Sequence, residues 1–163
     1  MGYEEAIAHL DSLGIDAMKS TSPTLARIEA VCAALDHPER RAPAIHITGT
    51  NGKTSTARIA TSILSAAGLK TGTYTSPHLQ SIRERIALNG VPVTRDDFGE
   101  IFDHLYPVLR STEELLGQSL TYFEVLTAMF YLWSAENPVD TMSSRWAWVG
   151  AGTRPTSLRT RWR

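Results

Sequence analysis

A glycine-rich loop between a predicted strand and a predicted helix restricts the fold more than any other feature. The strand is the short, partly β-branched run at 43–48, and the helix continues from the loop to Gly68 with apolar residues at helical spacing. The loop reads Gly49-Thr50-Asn51-Gly52-Lys53-Thr54-Ser55. Because strand, loop and helix in this order open a parallel sheet with right-handed crossovers, we expect an α/β fold.

A loop of this composition is typical of a phosphate-binding site. Glycines let successive backbone N–H groups turn toward one anion, and the N-terminus of the following helix adds a partial positive charge. Lys53 would neutralise the β/γ-phosphates of a nucleotide, and the hydroxyl of Thr54 or Ser55 can enter a Mg²⁺ shell. Ile47 stands in place of the first glycine of the common G-x-x-x-x-G-K-[ST] form. An ordinary turn with an exposed lysine is the alternative.

The rest of the chain up to residue 140 alternates between helix and strand patterns. Helices are predicted over 3–13, from Ser22-Pro23 to His37-Pro38, after Thr94 and after Thr121, the last ending at Asn137-Pro138. Strands are predicted at 71–74, at 84–88 before an Asn89-Gly90 hairpin turn, and after residue 138. Thr94/Asp97 and Thr121/Glu124 are capping-box patterns.

Composition narrows the class of protein. A hydrophobic share of 42% over 163 residues is enough for a buried core. No apolar run approaches the roughly 18 residues of a membrane span, and the N-terminus lacks the pattern of a signal peptide. Cys32 is the single cysteine, which excludes an internal disulfide, and its apolar helical position predicts buried filler. We therefore expect a cytoplasmic protein.

Four strings together resemble one family, the Mur ligase superfamily, and within it folylpolyglutamate synthase and the bifunctional dihydrofolate synthase. They occur in the family's order and at similar spacing, over roughly residues 20–140, and the Ser-Pro-His-Leu string separates the folate enzymes from cell-wall relatives. The strings are Gly49-Thr50-Asn51-Gly52-Lys53, Thr75-Ser76-Pro77-His78-Leu79, Glu84-Arg85-Ile86 and Leu120-Thr121-Tyr122-Phe123-Glu124.

The resemblance implies a fold, ligands and a role for each matching position. The fold would be an incomplete P-loop-type parallel sheet flanked by helices, the ATPase domain of such an enzyme without its C-terminal domain. ATP would bind at Gly49 to Ser55 with Lys53 as the catalytic cation, and Mg²⁺ at Ser76 and Thr54. The pterin substrate would contact Ser22, Pro23, Thr24, Thr121, Tyr122, Phe123 and Glu124.

Structural interpretations compete at several of these positions. Thr121 and Glu124 make a satisfactory capping box without a ligand, and Ser22-Pro23 is adequate as a helix start. Ser76 could be a plain turn residue. His78 is expected to order its own loop, and Glu84 with Arg85 could be a solvated strand pair.

The implied reaction is ATP-driven amide formation. A carboxylate is a poor acyl donor, so it first attacks the γ-phosphoryl group to form an acyl phosphate, which the amine of L-glutamate then attacks. The protein mainly has to position the groups and neutralise charge. Dihydropteroate and folylpolyglutamates both remain open as substrates. The family implies small-molecule partners, no nucleic acid or membrane, and a monomer.

Composition changes abruptly near residue 140. All 17 acidic side chains and 11 of the 16 basic ones lie in residues 1–140, whereas 141–163 carry five arginines and three of the four tryptophans. The family continues at this point with V-V-E-V-G-x-G-G-R, whose glutamate binds Mg²⁺. Back-translation of 142–157 with G/C-ending codons where the code allows a choice, read two bases later, gives that motif; the codons of methionine and tryptophan are fixed, and the others are partly chosen to fit. We therefore expect 1–140 to be a partial ATP-binding domain and 141–163 an aberrant, frameshifted tail.

The frameshift hypothesis has a direct chemical consequence. The metal-binding glutamate would fall at Ser144/Arg145, where a hydroxyl or a cation replaces the carboxylate. The chain would then be a truncated, inactive piece of a ligase, with an unpaired sheet edge. The alternatives are a nucleotide-binding module that does not catalyse, another P-loop NTPase, and a nucleic-acid-binding role for the basic tail.

Overall fold

A computed structural model describes residues 2–14, 24–47 and 51–145. Within them the helices are α1 (Tyr3–Leu13), α2 (Ala26–Ala34), α3 (Lys53–Ala66), α4 (Arg95–Leu116) and α5 (Tyr122–Glu136). The strands are β1 (Ala44–Ile47), β2 (Thr71–Tyr74), β3 (Ile86–Leu88), β4 (Val91–Pro92) and β5 (Thr141–Arg145). Short 3-10 helices within the same ranges cover Pro38–Arg40 and Ile82–Arg85. The predicted alternation of helices and strands is confirmed.

One five-stranded sheet has the order β1-β5-β2-β3-β4. β5 pairs parallel with both β1 and β2, while β3 pairs antiparallel with β2 and β4 antiparallel with β3. The parallel part of the predicted sheet is confirmed. The hairpin joins it as two antiparallel strands, so the sheet is mixed rather than purely parallel.

Local sequence explains where the later elements begin. In both predicted capping boxes the threonine Oγ1 accepts from the backbone N–H three residues on, at 3.0 Å before α4 and 3.3 Å before α5. The hairpin turns at Asn89 and Gly90, which have φ of 50° and 82°. Positive φ at both positions is the requirement of a type I′ two-residue hairpin turn, and Asn-Gly meets it with little strain.

Two predicted boundaries differ from the structure. The second helix has its first residue at Ala26, whose N–H donates to Oγ1 of Thr24, while Ser22 and Pro23 lie outside the described residues. The strand expected at 84–88 begins only at Ile86, because the preceding residues form a 3-10 helix closed by its own capping box. Cys32 is buried as predicted, and burial raises the pKa of its thiol to about 12.

Helices cover both faces of the sheet. The hydroxyls of Thr73 in β2 and Thr61 in α3 hydrogen-bond at 2.8 Å, whereas the ring of the next residue, Tyr74, stacks on Phe130 of α5 at 5.4 Å. Because successive side chains of a strand point to opposite faces, α3 and α5 lie on opposite sides. The core sits mainly on the α5 side, where α1, α2 and α4 also pack. In the described part of the chain, no helix is both long and apolar enough to cross a membrane.

β5 lies inside residues 141–163, the segment predicted to be an aberrant tail. Its residues 141–144 are buried between β1 and β2, so the sheet continues five residues past the expected boundary at 140. Residues 146–163 lie outside the described residues. On the other side of β5, β1 is the edge strand of the sheet as described. Ile59 and Ile63 of α3 are 60% and 63% exposed.

Candidate functional site

The carboxyl ends of β1, β5 and β2 meet at one edge of the sheet. Ile47 at the end of β1 pairs with Arg145, and Tyr74 at the end of β2 pairs with Ser144. The predicted phosphate loop follows β1, and the loop that contains Ser76 follows β2. The sheet therefore places both predicted segments on either side of the end of β5, where ligands of open α/β sheets bind.

The described part of the predicted phosphate loop leads into α3 through a left-handed glycine. Gly52 has φ +74°, and a Cβ added there would meet nothing within 4 Å, so a side chain is disfavoured by the backbone conformation and not by space. Its carbonyl accepts from both N and Oγ1 of Thr56 at 2.9 Å, which anchors the start of α3. Lys53, Thr54 and Ser55 form the first turn, which carries no acidic residue. Gly49 and Thr50 lie outside the described residues, and Asn51 directly precedes Gly52.

The loop after β2 is held by a carboxylate that sequence reasoning did not single out as a structural anchor. Glu84 accepts hydrogen bonds from the backbone N–H groups of Leu79, Gln80 and Ser81, each at 2.9 Å. These bonds favour the charged form, so they lower the pKa of Glu84. The capping-box spacing of Ser81 and Glu84 is the signal from which this role could have been found.

Arg85 is a buried cation beside the same loop, so the interpretation of Glu84 and Arg85 as a solvated strand pair is wrong. Arg85 is 3% exposed, and its Nε donates to Nδ1 of His78 at 2.9 Å. Its guanidinium carbon lies 5.4 Å from the ring centre of Tyr122 and 5.7 Å from that of Phe123. As expected, His78 orders its own loop. Its pKa is lowered by burial and by the positive charge of Arg85.

Glu124 is fully engaged by the protein. Its two carboxylate oxygens each lie 3.0 Å from Nε of Arg27, and Oε2 also accepts from N and Oγ1 of Thr121 at 2.7 and 2.9 Å. Arg27 and Glu124 are both buried. These contacts support the structural interpretation of Glu124 as cap and ion-pair partner. At the start of α5, Tyr122 is buried and Phe123 is half-buried. No pattern in the sequence predicted that Arg27 pairs with Glu124.

The described residues do not complete the magnesium site that the resemblance implies. Thr54 and Ser76 offer hydroxyl oxygens, but no three His, Cys, Asp or Glu side chains within 2–14, 24–47 and 51–145 gather as a metal site. The resemblance would place the family's glutamate at Ser144/Arg145, and Oγ of Ser144 shares a hydrogen bond of 2.9 Å with Nδ1 of His46. Because Mg²⁺ prefers carboxylate oxygens, two hydroxyls are a weak donor set.

Sequence comparison finds folate enzymes. The chain is 36% identical over 151 residues to the dihydrofolate synthase/folylpolyglutamate synthase of Mycobacterium tuberculosis, which covers 85% of this chain and 31% of that protein. It is also 36% identical over 114 residues to the protein of the same name from Bacillus subtilis, covering 70% and 26%. No protein-family model matches. The chain therefore spans between a quarter and a third of the length of these curated relatives.

Comparison with solved structures finds the same family as the sequence comparison. The folylpolyglutamate synthase of Mycobacterium tuberculosis complexed with ADP superposes with a TM-score of 0.80 at 34% identity, over 88% of this chain and 31% of that one. Over the part that it covers, the chain is thus a homologue of the folylpolyglutamate synthase/dihydrofolate synthase family and matches its N-terminal domain.

Proposed function

We propose that this chain is the nucleotide-binding part of an ATP-dependent ligase that adds L-glutamate to dihydropteroate or to folylpolyglutamates. The observation that carries the proposal is the left-handed Gly52 at the start of α3, followed by Lys53, at the sheet edge that also carries the Ser76 loop. A relative with the same fold is known in complex with ADP, which supports a nucleotide there. The protein would work in the cytoplasm on small molecules.

The residues present fit a nucleotide. Backbone N–H groups at the start of α3 would bind phosphate oxygens, and Lys53 would neutralise their charge. Bound ATP would supply the phosphoryl group that activates the substrate carboxylate as an acyl phosphate. Gly49, Thr50 and Asn51 would complete the cradle. The pterin would contact Ser22, Pro23, Thr24, Thr121, Tyr122 and Phe123.

Two observations support a frameshifted origin for residues 141–163. A central parallel strand is normally a run of apolar residues, yet β5 reads Thr-Met-Ser-Ser-Arg. Ser143 is fully buried, and its Oγ has no hydrogen-bond partner among the described residues. An unpaired hydroxyl is unusual at the centre of a sheet. Its presence at Ser143 is consistent with the frameshift hypothesis, because the other reading frame would place a valine there. The DNA from codon 135 onward tests this directly.

A nucleotide-binding module without ligase activity is the second candidate. It is favoured by Ser144 at the position where the family's glutamate is expected. We expect this chain to bind nucleotide but to show negligible glutamate addition with dihydropteroate, ATP and Mg²⁺. Robust turnover by the 163-residue chain would contradict this expectation and restore full ligase activity as its function.

Calorimetric titration of the chain with ADP tests the nucleotide site. Lys53→Ala should weaken binding about tenfold or more, since a charge-assisted hydrogen bond contributes about 1.5–3 kcal/mol. Lys70→Ala is the matched control, because this exposed lysine directly precedes β2 and so lies at the opposite edge of the sheet. Equal loss of affinity in both variants, or no binding by the unmodified chain, would refute the proposed site.

A further inference from the structure

Arg85 connects two segments to which the proposed function gives different ligands. The loop after β2 holds Ser76 and His78 on the phosphate side, and the start of α5 holds Tyr122 and Phe123 on the pterin side. We propose that Arg85 is a positioning residue that holds these two segments together, so that a pterin substrate and the phosphate-side loop keep a fixed relation. The ligands in this proposal rest on the proposed function, whereas the contacts of Arg85 do not.

The backbone of Arg85 is tied to the end of β2. Its carbonyl accepts from the N–H of Thr75 at 3.0 Å, and Oγ1 of Thr75 donates to the carbonyl of Glu84 at 3.2 Å. Arg85 itself is the last residue of the 3-10 helix that directly precedes β3. Because this segment is joined to the sheet, Arg85 has a rigid base from which its side chain reaches the loop.

The side chain of Arg85 contacts both segments at once. Nε donates to Nδ1 of His78 at 2.9 Å, and the guanidinium lies 5.4 and 5.7 Å from the ring centres of Tyr122 and Phe123. A guanidinium has donors only, so Nδ1 of His78 is the acceptor and the neutral ring carries its proton on Nε2. The planar group can bond in its plane and stack on its faces, which lysine cannot do.

Burial of this cation is costly, which argues against a role in stability alone. Among the described residues no carboxylate lies within ion-pair distance of Arg85, and its Nη1 is buried without a hydrogen-bond partner there. Burying a charge without an ion-pair partner is unfavourable, and the aromatic rings and one imidazole offset only part of it. Groups that break a local rule in this way concentrate at functional sites.

Nitrogen NMR of the histidine-labelled chain tests the contact, first in the unmodified chain and then in two arginine variants. At about pH 8, where histidine is neutral, the proton of His78 should reside on Nε2. In Arg85→Met the ring of His78 should populate both neutral tautomers, while in Arg83→Met the proton should stay on Nε2. Arg83 is the matched control because it lies in the same 3-10 helix but donates to the carbonyl of Val93. A proton on Nδ1 in the unmodified chain would overturn the proposal even if Arg85→Met does not fold.

Binding of two probes separates positioning from general stability. Arg85→Met should weaken binding of pteroate about tenfold and change binding of ADP less than about twofold, with Arg85→Lys intermediate and Arg83→Met unchanged. Equal losses for both probes would show a merely structural role and overturn the proposal, as would pteroate binding that Arg85→Met leaves intact. An unmodified chain that binds neither probe would refute the proposed function itself, and the ligand part of this proposal with it.

Discussion

Two adjacent serines in β5 should respond to the same substitution with opposite signs. Ser143 is fully buried, and its Oγ has no hydrogen-bond partner among the described residues, whereas Oγ of Ser144 shares a hydrogen bond of 2.9 Å with His46. An unpaired buried hydroxyl costs about 1–3 kcal/mol. Ser143→Ala removes that cost at the loss of one oxygen's packing contacts, so we expect stabilisation by about 1 kcal/mol.

Ser144→Ala should instead destabilise the chain by about 1 kcal/mol, since it removes a satisfied hydrogen bond. For a chain of this size each kcal/mol corresponds to about 2–4 °C in Tm. The two variants should therefore differ by about 2 kcal/mol in urea unfolding at an unchanged m-value. Ser144→Ala serves as the control for Ser143→Ala, because both change the same residue type in the same strand. A loss of stability in both would refute the assignment of Ser143 as an unpaired hydroxyl.

Three further predictions concern the segments around the site. Arg27→Leu should lower the free energy of unfolding by about 3 kcal/mol, because it leaves the buried carboxylate of Glu124 without its cation. In denaturant titration, the double variant Arg27→Leu/Glu124→Leu should lose less stability than the sum of the losses of the two single variants. Glu84→Gln should lower Tm at neutral pH. Because the folded pKa of Glu84 is lowered, the stabilisation from its carboxylate is present above the unfolded value of about 4.3 and is lost as the pH falls. A Tm difference between the two chains that stays constant into acid would contradict the role of the Glu84 carboxylate. Gly52→Ala should cost about 1 kcal/mol through its positive φ alone, since its Cβ meets nothing, and a neutral result in urea unfolding would exclude backbone strain there.

Several elements follow from local sequence because local interactions create them. The capping boxes at Thr94 and Thr121 begin α4 and α5, and Asn89-Gly90 turns the hairpin, since each device acts within a few residues of chain. The start of α2 and the 3-10 helix before β3 were placed differently from the prediction. Helical and extended patterns in such short segments are decided by the packing and hydrogen bonds around them.

The candidate site also has parts that local sequence predicts and parts that depend on tertiary contacts. The order of strand, glycine-rich loop and helix was sufficient to predict that a helix begins near Lys53 directly after a parallel strand, whereas the phosphate role of the loop stays a prediction. The burial of Arg85 could not be predicted from sequence, because it depends on two aromatic rings that lie 37 and 38 positions away along the chain. The ion pair of Arg27 with Glu124 likewise joins residues 97 positions apart.

The sequence by itself determined an α/β chain with a glycine-rich loop before a helix and a family resemblance, because spacing and glycine placement are properties of neighbouring residues. Only the tertiary structure decided that β5 inserts between β1 and β2, which brings Ser144 beside His46 and buries Ser143 without a partner. The physical reason is that burial and hydrogen bonding are satisfied across strands and helices, between residues that no local pattern connects.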